Sequence, residues 1–399
     1  MTAHPAPTSP SHIAPAGACR GPLGRWSFGR RTPFLRCALR VLLPCAGWDA
    51  PGRALKQLGI VFEIVGAWDT DPDAGIVLKE LYCHDPAAVL HLGPVDGDFK
   101  RVRPGAVPDA DLFIAGFPYP PWSSMGIRRG WRDPRGGVMS KGLDVLRELL
   151  GRTLKGGSLK AFIFENVMGI LQYRVDKVIE RMLPDNWELE VLKCDSKVVG
   201  HSRPRVYMVG HRKACCTSLT GVTVKDMMPP LPPRMLSDVV QTSGNNVRAM
   251  DDAISDLSYG RQQKLAKWLR VLRNHILDPS KQGQLACFPI DRNPHKATYR
   301  IDDRAPCLKT CGPLWVVSLG EPALNTCAIL RPLSPSERLQ LQGIDPATIP
   351  SSVSNTAIIK GTGNAMTVSV VGDVLAGVFR FLEAQAAVRR RHTLGIRSK

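Results

Sequence analysis

The 399-residue chain is 44% hydrophobic and 22% charged, an ordinary balance for a globular protein with room for one large and one smaller domain. Its 53 Lys+Arg against 35 Asp+Glu give a net charge of +18, which suits a polyanion such as DNA or RNA, though a basic solubilising surface has the same count. No apolar run reaches the roughly 18 residues of a membrane span, and the eleven cysteines lack paired metal spacing, so neither a membrane nor a metal site is expected and the thiols read as reduced.

Residues 1–36 are rich in Pro, Gly, Ser and Arg, and every charged residue before Asp49 is an Arg. This stretch reads as a disordered basic extension, either an organelle-transit type of segment or a solvated tail. Val41–Leu43 then reads as a first buried strand, Ala54–Leu58 as a short helix and Ile60–Val65 as a second strand. Leu112–Ala115, Ala161–Phe164, Leu189–Leu192 and Val206–Val209 are further short β-rich runs, with helical patterns at Met139–Leu150 and Val175–Leu183. Such alternation predicts a parallel α/β sheet with helices on both faces. Residues 211–327 differ: a Pro-rich segment at Met227–Met235, a helix at Gln262–Leu277 carrying Lys264, Lys267, Arg270 and Arg273, then an irregular basic stretch. They read as an inserted substrate-reading module or a long decorated loop. Ser334-Pro335-Ser336-Glu337 is a capping box with Pro at the first helical position, and Gly343 is the stop. Gly361–Asn364 is expected to turn into a long helix near Val368–Leu382, ahead of the basic tail Arg389–Arg391.

Three segments carry chemistry. Gly116-Phe117-Pro118-Tyr119-Pro120-Pro121-Trp122-Ser123 follows a strand directly, and α/β enzymes place reacting groups at the carboxyl ends of parallel strands. Glu165, in Phe164-Glu165-Asn166-Val167, ends the next strand on the same rim; with a raised pKa it could protonate a bound base, and otherwise it is a solvated carboxylate. Arg203 and Arg205, in His201-Ser202-Arg203-Pro204-Arg205-Val206-Tyr207, share one face if the segment is extended. They can hold a phosphate or a flipped base, or form an ordinary basic edge.

Together these segments resemble the cytosine carbon-5 DNA methyltransferase family. There the loop after the fourth strand reads Gly-Phe-Pro-Cys-Gln-Pro-Phe/Trp-Ser, the next strand ends in Glu-Asn-Val, and a later one opens with Gln-x-Arg-x-Arg. Asp133-Pro134-Arg135-Gly136 resembles the Asp-x-Arg-Gly segment between the first two. Arg331-Pro332-Leu333-Ser334 with Glu337 and Leu341-Gln342-Gly343 resembles Arg-x-Leu-Thr…Glu…Leu-Gln-Gly, and Gly363-Asn364-Ala365 resembles the closing Gly-Asn-Ala block.

The resemblance implies a Rossmann-like, S-adenosylmethionine-dependent methyltransferase sheet over residues 37–210 and 328–399, with a target-recognition domain at 211–327 and DNA in the cleft between them. It implies cofactor contacts from Gly47 (the first Gly-rich turn), Asp69 (ribose hydroxyls), Asp98 (adenine amino group), Pro118 and Asn364. It places Tyr119 at the nucleophile's position, Glu165 as the proton donor to ring nitrogen 3, and Arg203 and Arg205 beside a cytosine taken out of the duplex. A nuclear location would follow in a eukaryote.

The departures matter as much. Tyr119 stands where the family has cysteine, and Pro120 where it has glutamine. A thiol near pKa ~8.5 can become a soft thiolate, whereas a phenol near pKa ~10 is a harder nucleophile and mostly protonated at neutral pH. The covalent step is therefore expected to be blocked, which leaves open a non-catalytic DNA- or cofactor-binding relative. The turn Phe-x-Gly-x-Gly-Gly is degraded to Cys45-Ala46-Gly47-Trp48-Asp49-Ala50, and Cys45 does not replace the missing nucleophile. His201 replaces Gln. Cys287-Phe288-Pro289 matches two of three positions of a Cys-Phe-Thr signature in a branch acting on tRNA, a third reading.

Overall fold

The computed structural model describes residues 37–123, 129–213, 221–240, 254–255, 257–323 and 329–393; the expectation for residues 1–36 lies outside them. A seven-stranded sheet runs in the order β3-β2-β1-β4-β5-β7-β6. Its strands are β1 (Leu39–Pro44), β2 (Phe62–Asp69), β3 (Leu90–Leu92), β4 (Leu112–Gly116), β5 (Ala161–Val167), β6 (Trp187–Asp195) and β7 (Pro204–Arg212). β1 to β5 pair in parallel, whereas β7 is antiparallel to both β5 and β6. The expected all-parallel sheet is thus corrected at one edge. The reason is local: β6 and β7 are joined by a short connection, residues 196–203, and no crossover helix separates them.

Side-chain alternation builds two cores. On β4, Leu112 and Ile114 enter one cluster and Phe113 and Ala115 the other; on β5, Ala161 and Ile163 oppose Phe162 and Phe164. The first face is covered by helices α1 (Ala50–Gln57), α2 (Pro72–Leu81) and, near the chain end, the long C-terminal helix; the second by α3 (Gly137–Thr153) and α4 (Val175–Glu180). Helices α5 (Val224–Met227) and α6 (Tyr259–Ile276) follow, then α7 (Pro335–Leu341), α8 (Asn355–Asn364) and α9 (Val368–Thr393). Gly361–Asn364 ends α8 rather than forming a free turn, and α9 carries the backbone of Arg389–Arg391 as a helical continuation. The capping box at α7 is formed in both directions, Glu337 N–H to Ser334 Oγ and Ser334 N–H to Glu337 Oε2, and Gly343 follows with φ 75°.

One stretch within Asn355–Arg390 is long and apolar enough to cross a membrane by length and composition, against the expectation of no such run. In the fold 89% of that window is buried: α9 is hydrophobic nearly all round because it packs against α1, α5 and the sheet.

A second sheet, β10-β9-β8, is antiparallel and formed by β8 (Leu285–Pro289), β9 (Leu314–Ser318) and β10 (Leu330–Pro332). α6 packs on it through Leu265, Trp268, Leu272 and Ile276. Packing crosses the 211–327 span: Val224 belongs to the large sheet's first core, and Leu330 of β10 to the small sheet. Cys287 and Phe288 are fully buried in β8.

Candidate active site

β1 lies at the point where the parallel strands diverge, with β2 on one side and β4 on the other. The carboxyl ends of strands flanking such a switch point open into a crevice. Here it is a cavity of about 840 Å³, lined among others by Gly47, Asp69, Asp98, Pro118, Tyr119, Glu165, Arg203, Arg205 and Asn364. Nine positions separated by more than 300 residues of chain thus converge on one space.

One half of the cavity is built from loops after β1, β2 and β3. Gly47 has φ 55°, a conformation open to glycine at little cost, and its N–H donates to Asp69 Oδ2 at 2.7 Å. Asp69 Oδ1 accepts from Asp71 N–H at 2.8 Å. Burial raises the Asp69 carboxyl pKa, and the Asp71 and Gly47 amides pull the other way. Each carboxylate oxygen retains a lone pair that could accept from a hydroxyl. Gly97 lies against the same strand end, where a Cβ would collide with the Asp69 carbonyl oxygen. Asp98 Oδ1 accepts from Lys100 N–H at 3.1 Å, and Trp68, stacked on His91, meets Phe99 edge-on at 5.3 Å. An apolar slot with two carboxylates at its rim and a backbone turn of positive φ fits a cofactor with an adenine ring, a ribose diol and a cationic amino-acid end.

The degraded turn has a structural solution. Cys45 and Asp49 take up the left-handed conformation at φ 54° each. Asp49 is buried, accepts from Gly52 N–H at 2.8 Å and from the Tyr82 hydroxyl at 2.5 Å, and so caps α1. Arg53, also buried, donates from Nε to the Trp48 carbonyl at 2.9 Å. Trp48 packs on Gly361 of α8, where a Cβ would collide with its ring. The two lost glycines are thus replaced by a buried polar cluster, a device that only the three-dimensional neighbours Tyr82 and Gly361 reveal. Burial, then the Asp69 and Asp98 carboxylates, push the Cys45 thiol far above its usual range, so it supplies no thiolate.

The other half joins β4, β5 and the lead into β7. Glu165 is 7% exposed, and Arg205 Nε lies 3.0 Å from its Oε1. Burial raises the Glu165 carboxyl pKa against the pull of Arg205 and Arg203. The two arginines do not act as a pair. Arg203 is buried and spends its guanidinium on Leu308 O (3.2 Å), Cys307 Sγ (3.5 Å), Gly363 O (3.0 Å) and Ala365 O (2.9 Å). It lines the cavity, as expected, and at the same time braces two segments, 307–308 and 363–365. His201 is fully buried beside Ser196 and Thr367, its pKa lowered to about 3 by burial and then by Arg203 and Arg205, so it is a neutral structural group.

Tyr119 is half-buried on the cavity wall, and its carbonyl accepts from the N–H groups of Trp122 and Ser123 at 2.9 and 3.0 Å. Buried Asn166 donates to the Phe117 carbonyl at 3.0 Å and fixes this loop to the end of β5. Asp133 and Arg135 form a two-bond ion pair at 2.7 and 2.9 Å, and the Arg135 side chain and amide hold the Asp133 carboxyl down at about 2. Lys360, which sequence reading did not single out, reaches over the cavity rim to Asp71 at 2.8 Å.

The sheet order and the cleft at its switch point define a methyltransferase class of α/β fold. Among solved structures, a Dnmt2 mutant from Spodoptera frugiperda is similar with TM-score 0.55 and 16% identity, over 86% of this chain and 100% of that one. The Entamoeba histolytica methyltransferase EhMeth is similar with TM-score 0.58 and 14% identity, over 87% and 99%. The chain belongs to the C-5 cytosine-specific DNA methylase family, whose model matches residues 45–380. The orphan methyltransferase M.Rho11sI of Bacillus phage rho11s is 29% identical over 183 residues, 44% of this chain and 33% of that protein. The type II methyltransferase M.SsoII of Shigella sonnei is 22% identical over 296 residues, 72% of this chain and 69% of that protein. The match to M.Rho11sI thus spans about a third of that relative's length.

Proposed function

We propose that the chain binds S-adenosylmethionine and a flipped cytosine of DNA in this single cleft, as a DNA cytosine-5 methyltransferase whose nucleophile position holds a phenol. The observation that carries the reading is the convergence of nine motif residues from seven chain segments on one cavity. Gly47, Asp69, Asp98, Pro118 and Asn364 would hold the cofactor, which when bound supplies a methyl group on a sulfonium. Arg205 and Glu165 would hold the base. A buried carboxyl with a raised pKa keeps its proton closer to neutral pH, and Arg205 beside it limits the rise so that the proton can be given to ring nitrogen 3. Arg203 and Asn166 position the surrounding walls.

Tyr119 favours a second reading, a relative that binds cofactor or DNA without turnover. A hard phenolic oxygen is a poor donor to carbon-6 of the base, so the covalent step that makes carbon-5 nucleophilic is missing. The test is methyl transfer from tritiated cofactor to mixed duplex DNA, with tRNA as a parallel acceptor. Transfer to DNA should rise at least ~100-fold in Tyr119→Cys over the natural chain. Equal transfer by both would defeat the phenol argument. Transfer to tRNA alone would replace DNA as the substrate.

A further inference from the structure

We infer that the outward face of α6 is a contact surface for the sugar-phosphate backbone of duplex DNA, separate from the cleft; this rests on the reading of DNA as the partner. α6 has 18 residues, with Arg261, Lys264, Lys267, Arg270 and Arg273 at every third position and no Asp or Glu. Its inner side is fixed, since Leu265, Trp268, Leu272 and Ile276 pack into the small sheet's core. The cations therefore cannot turn inward, and their row crosses the solvent side diagonally.

Like charges three apart on a helix repel, each pair costing about 0.2–0.5 kcal/mol. Asp291 relieves one end, lying 3.3 Å from Arg261 and 3.4 Å from Lys264. Lys267, Arg270 and Arg273 are exposed, and among the described residues no acidic side chain pairs with them. A surface meant only for solubility mixes both signs; a one-sign row on a rigid support is what a polyanion complements. Successive members rise about 4.5 Å along the helix axis. Duplex DNA carries one charge per about 1.7 Å, so side chains of this length meet two or three phosphates over the row. No residue of α6 lines the catalytic cavity. The contact would set the orientation of the duplex without reading its sequence.

The experiment measures affinity of the full chain for a 30-base-pair duplex by fluorescence anisotropy across a salt series. It compares the natural chain, Lys267→Gln/Arg270→Gln/Arg273→Gln, and a charge-matched control, Lys79→Gln/Lys155→Gln/Arg181→Gln. Each released phosphate contact contributes about 0.9 to the slope of log affinity against log salt. The slope should fall by about 2–3 in the α6 variant and by less than about 1 in the control. Melting curves and cofactor affinity should match the natural chain. An unchanged slope, or equal loss in the control, overturns the inference while leaving DNA as the partner. No binding of the natural chain to duplex at low salt overturns both. A slope change with tRNA and none with duplex assigns the face to RNA and overturns it.

Discussion

Asp373 gives a quantitative handle on the fold. It sits on α9, 6% exposed, among Val370, Val371, Val374 and Leu375 of the first core. Burial raises its carboxyl from the ordinary 3.8 to about 7, with Arg380 opposing only in part. Cys194 of β6 faces the same spot. Below pH 3.8 both folded and unfolded chains hold the proton. Between 3.8 and 7 only the folded chain holds it, so stability falls as pH rises through this window. The full loss is about three pKa steps, or ~4 kcal/mol, at pH 8, and ~2 kcal/mol is already lost at pH 5. Asp373→Asn keeps the shape and removes the titration. It should stabilise the protein by ~4 kcal/mol at pH 8 and ~2 kcal/mol at pH 5. Denaturant unfolding of both proteins at the two pH values measures the gap. A gap that does not change with pH, or an Asn variant that is less stable at pH 8, would refute the reasoning.

Three further outcomes follow from the cleft. Asp69→Asn leaves one acceptor oxygen for the two amides of Gly47 and Asp71, so one buried N–H is orphaned at about 1–3 kcal/mol. Cofactor affinity by calorimetry should drop roughly 5- to 150-fold. Arg203→Met should cost about 3–5 kcal/mol in thermal or chemical unfolding, because three backbone carbonyls lose a charged donor. Arg205→Met should leave stability near natural at neutral pH, since Glu165 can take up a proton, yet abolish methyl transfer in a Tyr119→Cys background. Equal destabilisation by the two arginine substitutions would contradict their division of labour.

The strands were legible because their apolar runs are short and bounded by turn residues, and much of the site because the motifs at Gly116–Tyr119 and Glu165 close strands while Arg203 and Arg205 lead into one. β3 was missed: Leu90–Leu92 is a three-residue edge whose residues are all half-buried, so it carries no apolar run. α2 went unassigned: Pro72 and Gly75 in its first turn are poor helix formers, although Asp71 caps it and Pro suits a first turn. The direction of β7 is not written in hydrophobicity at all; only the short link from β6 fixes it. At the site, spacing placed Arg203 and Arg205 together, but the carbonyls that claim Arg203 come from positions 308, 363 and 365, which no local pattern connects to it. The Asp49 cluster was hidden for the same reason: Tyr82 lies 33 residues away.

The bracing by Arg203 has a mechanical consequence. Its guanidinium ties Cys307 and Leu308, on the loop between β8 and β9, to Gly363 and Ala365 beside the cavity. It does not act alone, since Ala305 N–H donates to the Gly200 carbonyl at 2.8 Å and Ser202 N–H to the Ala305 carbonyl at 2.9 Å. Parting the 305–308 loop from the Gly363–Ala365 wall must therefore break bonds of Arg203 or drag the segment that leads into β7, so the width of the cavity is geared to the position of that loop.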